Sequence, residues 1–175
     1  MSLEKQIEAA RKEIASDGYE MSVGEIINLY RDDELIIHPA YQRLFRWDSS
    51  KKTRFIESLL LGIPIPPVFV FQTEKGLWEL IDGLQRLSTI FEFVGILKSR
   101  GEDGIKIEPA ALERTKYLPD LADRTWKTGH GNVGIGSAAQ LFIKRSRIRV
   151  EILKKESDPS AKYELEVVPL SETRS

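Results

Sequence analysis

Residues 77–99 read LWELIDGLQRLSTIFEFVGILKS, and this stretch predicts a strand, an abrupt turn at Asp82-Gly83 and a helix. Residues 77–81 are almost all apolar, which is typical of a buried strand. After Gly83 the apolar positions recur at steps of three and four, as in an amphipathic helix. They are Leu87, Ile90, Phe91, Val94 and Leu97. We therefore expect a strand that ends directly at the N-terminus of a helix.

A helix that begins at such a turn favours an anion, because its first backbone N–H groups are unpaired and its dipole is positive there. Gln85 and Arg86 lie in the predicted first turn, and Thr89 follows one turn later. A guanidinium suits phosphate oxygens, whereas the dipole disfavours a cation at this end, so Arg86 indicates a functional site. The alternative is structural: Asp82 caps the helix, Gly83 permits the turn and Arg86 pairs with a carboxylate.

The whole chain has the composition of one globular domain. It has 175 residues, of which 41% are hydrophobic and 30% charged, and it contains no Cys and two His. Disulfides, cysteine nucleophiles and thiolate metal sites are therefore excluded, and we expect no metal site. The N-terminus lacks a signal-peptide core, and no apolar run is long enough to span a membrane, so we expect a cytoplasmic protein without membrane contact.

The formal net charge is −1, so binding to nucleic acid would need local clusters of cations. Two clusters occur, although solvated surfaces often produce such runs. The first is Arg43, Arg46, Lys51, Lys52 and Arg54, and the second is Lys144, Arg145, Arg147 and Arg149. In residues 41–47, YQRLFRW, aromatic and basic residues alternate, which indicates either a pocket wall that stacks a base and holds phosphate or an irregular loop fixed by its aromatics.

The remaining elements mix helices and strands without regular βαβ alternation, so we expect an α+β fold. The sequence predicts a helix at residues 2–15 that ends near Asp17-Gly18, and further helices at residues 49–61 and 137–144. A capping box at Ser22 predicts the start of another short helix. Predicted strands cover residues 35–37, 68–71 and 148–153, and residues 72–76 form a hairpin loop. Residues 129–136 match GxGxxG by letter, but no apolar strand precedes them, so we expect a loop without nucleotide.

Three phrases in the same order make the chain resemble the N-terminal domain of GmrSD-type modification-dependent restriction enzymes. They are PAYQRLFRW at residues 39–47, SLLLGIPIPPVFVF at 58–71 and LIDGLQRLSTI at 80–90. The resemblance covers roughly residues 20–155 and implies a ParB/sulfiredoxin-like fold, with a small mixed sheet flanked by helices. We accordingly expect a helical extension at 1–18, this domain at 19–155 and a truncated or divergent tail at 156–175.

The resemblance also implies a site and a function. The family signature, DGQQR, is associated with binding and hydrolysis of a nucleoside triphosphate in restriction and in phage defence. With such a nucleotide we expect Mg²⁺. It implies catalytic roles for Asp82, Gln85 and Arg86. It implies nucleotide contacts for Tyr41, Gln42, Arg43, Gly83, Arg86 and Thr89. A nuclease domain or subunit is the partner that it implies.

Two departures from the family qualify this expectation. Leu84 stands where the signature has its first Gln, which affects hydrolysis more than binding. Residues 163–175 lack the first of the later family motifs and retain only a stretch similar to the second, at Leu170-Ser-Glu172. The HNH nuclease segment common in the family is absent from these residues, so DNA cleavage by that route is not assigned to this chain. Leu84 and Gln85 also replace the reactive pair of sulfiredoxins, so reduction of sulfinic acid is excluded.

Two other functions remain open from the sequence. A DNA-binding or modification-sensing module would use the same arginines on backbone phosphates, and DNA is then the partner. A ParB-like nuclease is a weaker alternative, because no set of carboxylates has the spacing of metal ligands: Asp32, Asp33 and Glu34 are adjacent and resemble a solvated turn. The sequence does not indicate the oligomeric state or which nucleotide is bound.

Overall fold

A computed structural model describes residues 2–98 and 109–155 as a mixed five-stranded sheet with helices around it. The helices are α1 (Leu3–Glu13), α2 (Val23–Arg31), α3 (Pro39–Gln42), α4 (Ser49–Leu61), α5 (Leu84–Phe93) and α6 (Ser137–Arg145), with a 3₁₀ turn at Pro119–Leu121. The strands are β1 (Ile14–Ser22), β2 (Leu35–Ile36), β3 (Val68–Gln72), β4 (Trp78–Asp82) and β5 (Arg147–Lys155). The predicted α+β class, with a small sheet flanked by helices, is confirmed.

The sheet has the order β1-β5-β3-β4-β2. β3 and β4 form the predicted antiparallel hairpin, whereas β3 pairs with β5, and β4 with β2, in parallel. β1 and β5 pair antiparallel along their whole length. The fully buried side chains come from strands and helices alike, including Val68, Leu84, Phe91, Ile143 and Ile152. One hydrophobic core therefore joins β4 and α5 to the rest of the described chain.

Local signals set the ends of two helices as predicted. The Ser22 hydroxyl accepts a hydrogen bond from the Glu25 amide at the start of α2, and Asp48 accepts from the Lys51 amide at the start of α4. Gly62 ends α4 with a φ of 72°, a left-handed conformation that glycine adopts readily.

Two helix boundaries predicted from sequence are wrong. α1 ends at Glu13, and Asp17-Gly18 lies inside β1, because pairing with β5 outweighs the local turn signal. α5 ends at Phe93 rather than continuing through Leu97, and Gly95 turns the chain with a φ of 82°. The predicted tail at 156–175 lies outside the described residues. Across residues 2–98 and 109–155, no helix has the length and apolar character needed to cross a bilayer.

Candidate functional site

The predicted turn between strand and helix is a tight junction between β4 and α5. Gly83 occupies the N-cap position with a φ of 107°, so the helix begins at the glycine that follows Asp82. A Cβ on Gly83 would lie 2.5 Å from Cγ1 of Val68, closer than packed atoms approach. This position therefore requires glycine twice, once for its backbone conformation and once for its contact with β3.

Gln85 connects the first turn of α5 to the segment before α4. Its Oε1 accepts hydrogen bonds from the backbone amides of Arg46, at 2.9 Å, and Trp47, at 3.0 Å. Its Nε2 donates to the Leu44 carbonyl at 2.6 Å. The side chain is 8% exposed, so it satisfies backbone groups that would otherwise be poorly hydrated. Gln85 thus fixes the path of the aromatic and basic segment.

Two further contacts join the same segment to β4 and α5. The Tyr41 hydroxyl donates to the Ile81 carbonyl at 2.8 Å. The buried Gln42 side chain donates to the Ser88 hydroxyl at 3.3 Å. Residues 41–47 and residues 82–89, whose composition predicted a site, therefore form one structural unit.

Arg86 is 6% exposed, and its guanidinium turns toward the segment that leads into β3. Its Nη1 donates to the Pro66 carbonyl and, at 3.2 Å, to the Pro67 carbonyl. These carbonyl dipoles offset the unfavourable position of a cation at the start of a helix. The Thr89 hydroxyl is also buried and donates to the Gln85 carbonyl at 2.7 Å.

The two arginines of the 41–47 segment differ from Arg86, because both side chains are exposed. The backbone amide of Arg46 itself donates to Gln85. Arg43 is the residue after Gln42, whose side chain donates to Ser88. Trp47 is half-buried and meets Phe55 edge-on, with 5.9 Å between ring centroids. Exposed guanidinium groups thus lie beside a hydrogen-bonded unit that includes the N-terminus of α5.

The structure distributes the predicted site residues over two environments. Asp82, Gln85, Arg86 and Thr89 are buried, as is Gln42, whereas Arg43 faces solvent. Their proposed contacts with nucleotide stay predictions. In the described part of the chain, no group of three or more His, Asp or Glu side chains is arranged to hold a metal ion.

Sequence reasoning did not identify the partners that make this unit rigid. The position of Ser88 in the second turn suggested a hydroxyl donor for phosphate, whereas in the structure Ser88 accepts the Gln42 bond. The carbonyls of Pro66 and Pro67, which accept from Arg86, had no signal in spacing or composition. The glycine-rich GxGxxG match lies outside the unit formed by residues 41–47 and 82–89. Residues 129–136 form a small loop in which Gly129 and Asn132 exchange backbone hydrogen bonds.

The family model described as the N-terminal domain of GmrSD restriction endonuclease matches residues 23–166. The match begins at the first residue of α2 and includes both halves of the site. No curated protein and no solved structure matches the chain.

Proposed function

Because this chain belongs to the family of GmrSD restriction endonuclease N-terminal domains, we propose that it is a regulatory domain of a restriction system and that the domain itself binds a nucleoside triphosphate. The observation that carries the proposal is the hydrogen bonding of Gln85, which attaches the segment with Arg43 and Arg46 to the first turn of α5. A cationic surface and a helix N-terminus therefore share one rigid unit.

The charges of this unit suit a polyphosphate. Arg43 and Arg46 present delocalised cations to solvent, and each guanidinium can bind two phosphate oxygens at once. The dipole of α5 adds positive potential at the same end. Since the chain carries a net charge of −1, this attraction is local rather than a property of the whole surface.

The buried signature residues have a positioning role in this proposal. Gln85 holds the arginine segment, and Arg86 holds the carbonyls that precede β3. Mg²⁺ would arrive with the phosphates of the nucleotide, since Mg²⁺ in such complexes keeps phosphate and water ligands and needs few protein carboxylates. Asp82, at the end of β4, is the acidic residue of the signature that such an ion or its water would approach.

Leu84 makes binding a firmer proposal than hydrolysis. Its side chain is fully buried in the core, whereas the resemblance implies a polar glutamine at this position. A leucine cannot orient a water molecule or a phosphate. We therefore propose nucleotide binding as the primary activity and hydrolysis as a property to be tested after it.

Thermal unfolding of the full chain with a panel of nucleoside triphosphates and Mg²⁺ tests the proposal. A ligand at about one hundred times its dissociation constant adds about 2.7 kcal/mol, which corresponds to about 5–10 °C at this chain length. We expect Arg43→Ala/Arg46→Ala to lose this shift. Arg54→Ala is the matched control, because Arg54 is an exposed arginine on α4. Absence of any shift with wild-type protein refutes the proposal.

A salt titration separates this function from DNA binding through the same arginines. Binding to duplex DNA releases counterions, so the affinity falls steeply as salt rises. If the chain binds duplex DNA with an affinity that falls steeply with salt, and nucleotide does not shift its melting temperature, a DNA-binding module replaces our proposal.

A further inference from the structure

A second cationic site lies away from the β4–α5 junction. A cavity of about 320 Å³ is bounded by α2, α6, the C-cap residue of α5, Val94, and the chain at Trp126. Its volume is at the lower end of the range for small-molecule sites. Arg31, Lys127 and Lys144 line it, and none of the described residues that line it is Asp or Glu.

Among the described residues, none of these three cations forms an ion pair with a carboxylate. The ion pairs within residues 2–98 and 109–155 involve His38, Lys52, Lys98 and Arg149 instead. A protein with a net charge of −1 has enough carboxylates to neutralise such a cluster, yet none lies among the described lining residues. Uncompensated cations around a concave surface create a positive potential that attracts anions.

Close contact between α2 and α6 holds the cavity in shape. The Val23 amide donates to the Ser146 carbonyl at 2.8 Å, and a Cβ on Gly24 would lie 3.4 Å from the Lys144 carbonyl oxygen. Asn28 and Arg31 follow Gly24 on the same face of α2, at helical spacing. The side chains of Asn28 and Arg31 are thereby placed along the same cavity as Lys144.

Trp126 forms an aromatic part of the wall. Gln140 donates a hydrogen bond to its carbonyl at 2.6 Å, and its ring meets Phe93 edge-on. Nζ of Lys144 lies 5.8 Å from the centre of the same ring, a cation–π contact that positions the ammonium group. The cavity therefore combines three exposed cations with a wall held in place by the contacts of Trp126, so its concave shape is present before a ligand binds.

We propose that this cavity binds a small phosphorylated ligand, whose phosphate lies among Arg31, Lys127 and Lys144 with the Asn28 amide as a further donor. The site is distinct from the proposed nucleotide site. Val94, which lines the cavity, caps the C-terminus of α5, whereas the nucleotide site lies at the N-terminus. A helix of 10 residues separates them by about 15 Å.

Calorimetric titration of the full chain with inorganic pyrophosphate tests this inference. We expect saturable binding, weakened about tenfold or more by Lys127→Gln/Lys144→Gln, since a charge-assisted hydrogen bond contributes at least that factor. Arg145→Gln is the matched control: Arg145 neighbours Lys144 on α6 and is exposed, but it does not line the cavity.

Three results would overturn the inference. They are absence of saturable binding to wild type, equal affinity in the Lys127→Gln/Lys144→Gln variant, and an equal loss in Arg145→Gln. Including Arg43→Ala/Arg46→Ala separates this inference from the nucleotide proposal. If that variant alone loses pyrophosphate, the anion binds at the β4–α5 junction, and the cavity site is refuted while the nucleotide site is supported.

Discussion

Replacement of Gln85 by alanine tests whether this side chain holds the 41–47 segment. The substitution removes three hydrogen bonds, from the amides of Arg46 and Trp47 and to the carbonyl of Leu44. At about 1 kcal/mol for each bond, the free energy of unfolding falls by about 3 kcal/mol. The melting temperature then falls by about 6–12 °C, at about 2–4 °C for each kcal/mol.

Urea unfolding measures this loss, and Gln42→Ala provides a graded comparison. Gln42 makes one longer bond, to Ser88 at 3.3 Å, so we expect its replacement to cost about 1 kcal/mol. Amide hydrogen exchange supplies the local measurement. Exchange at Arg46 and Trp47 should accelerate in Gln85→Ala more than in Gln42→Ala. Equal stability losses in the two variants, with unchanged exchange at Arg46 and Trp47, would refute the role assigned to Gln85.

Other substitutions test the turn, a helix cap and a titrating group. Gly83→Ala should lower the free energy of unfolding by about 2–4 kcal/mol, through its positive φ and the clash with Val68, as measured by thermal unfolding. Asp48→Ala should cost about 1 kcal/mol in the same assay, because α4 loses its N-cap. Burial raises the pKa of Tyr30. The neutral phenol therefore stabilises the fold below about pH 10, and this stability is lost as pH rises through the folded pKa. Tyr30→Phe should remove this alkaline loss of stability. Unfolding curves recorded from about pH 8 to 11, on both sides of an ordinary tyrosine pKa, measure it.

Each of these substitutions has its own control. Gly62→Ala also has a positive φ, but nothing lies within 4 Å of the added Cβ, so its cost should stay near 1–2 kcal/mol. A loss as large as that of Gly83→Ala would contradict the packing argument. Asp48→Ser keeps a capping oxygen and should retain stability. Parallel pH profiles for wild type and Tyr30→Phe would show that Tyr30 does not govern alkaline unfolding.

The parts of the fold that sequence predicted depend on neighbours along the chain. The glycine at 83, the cap at Asp48 and the apolar stripe that begins at Leu87 each act within one or two turns. β1 could not be predicted this way, because its partner is β5, at the other end of the described chain. Local residues around Asp17-Gly18 indicate a turn, and only the partner strand overrides them.

The site likewise combines features that neighbouring residues predict with contacts that only distant segments supply. The residue types of the signature indicated a strand–turn–helix junction with a cation at the helix start, and the structure has that junction. No residue pattern indicated that Gln85 would bind the backbone of residues 44–47, or that Arg86 would bind the carbonyl of Pro67. Such bonds from side chain to backbone leave no trace in composition, because every residue supplies the same carbonyl and every residue except proline the same amide.

This arrangement changes how substitutions in the signature should be interpreted. Gln85 and Arg86 connect α5 to two other segments, so their replacement alters the shape of the site as well as any contact with ligand. Arg43 and Arg46 are exposed, and their replacement removes charge while the connections remain. Nucleotide affinity and stability should therefore fall together in Arg86→Ala, and affinity alone should fall in Arg43→Ala/Arg46→Ala. Since the two measurements are independent, a loss of affinity in Arg86→Ala at unchanged stability would assign Arg86 to ligand contact instead.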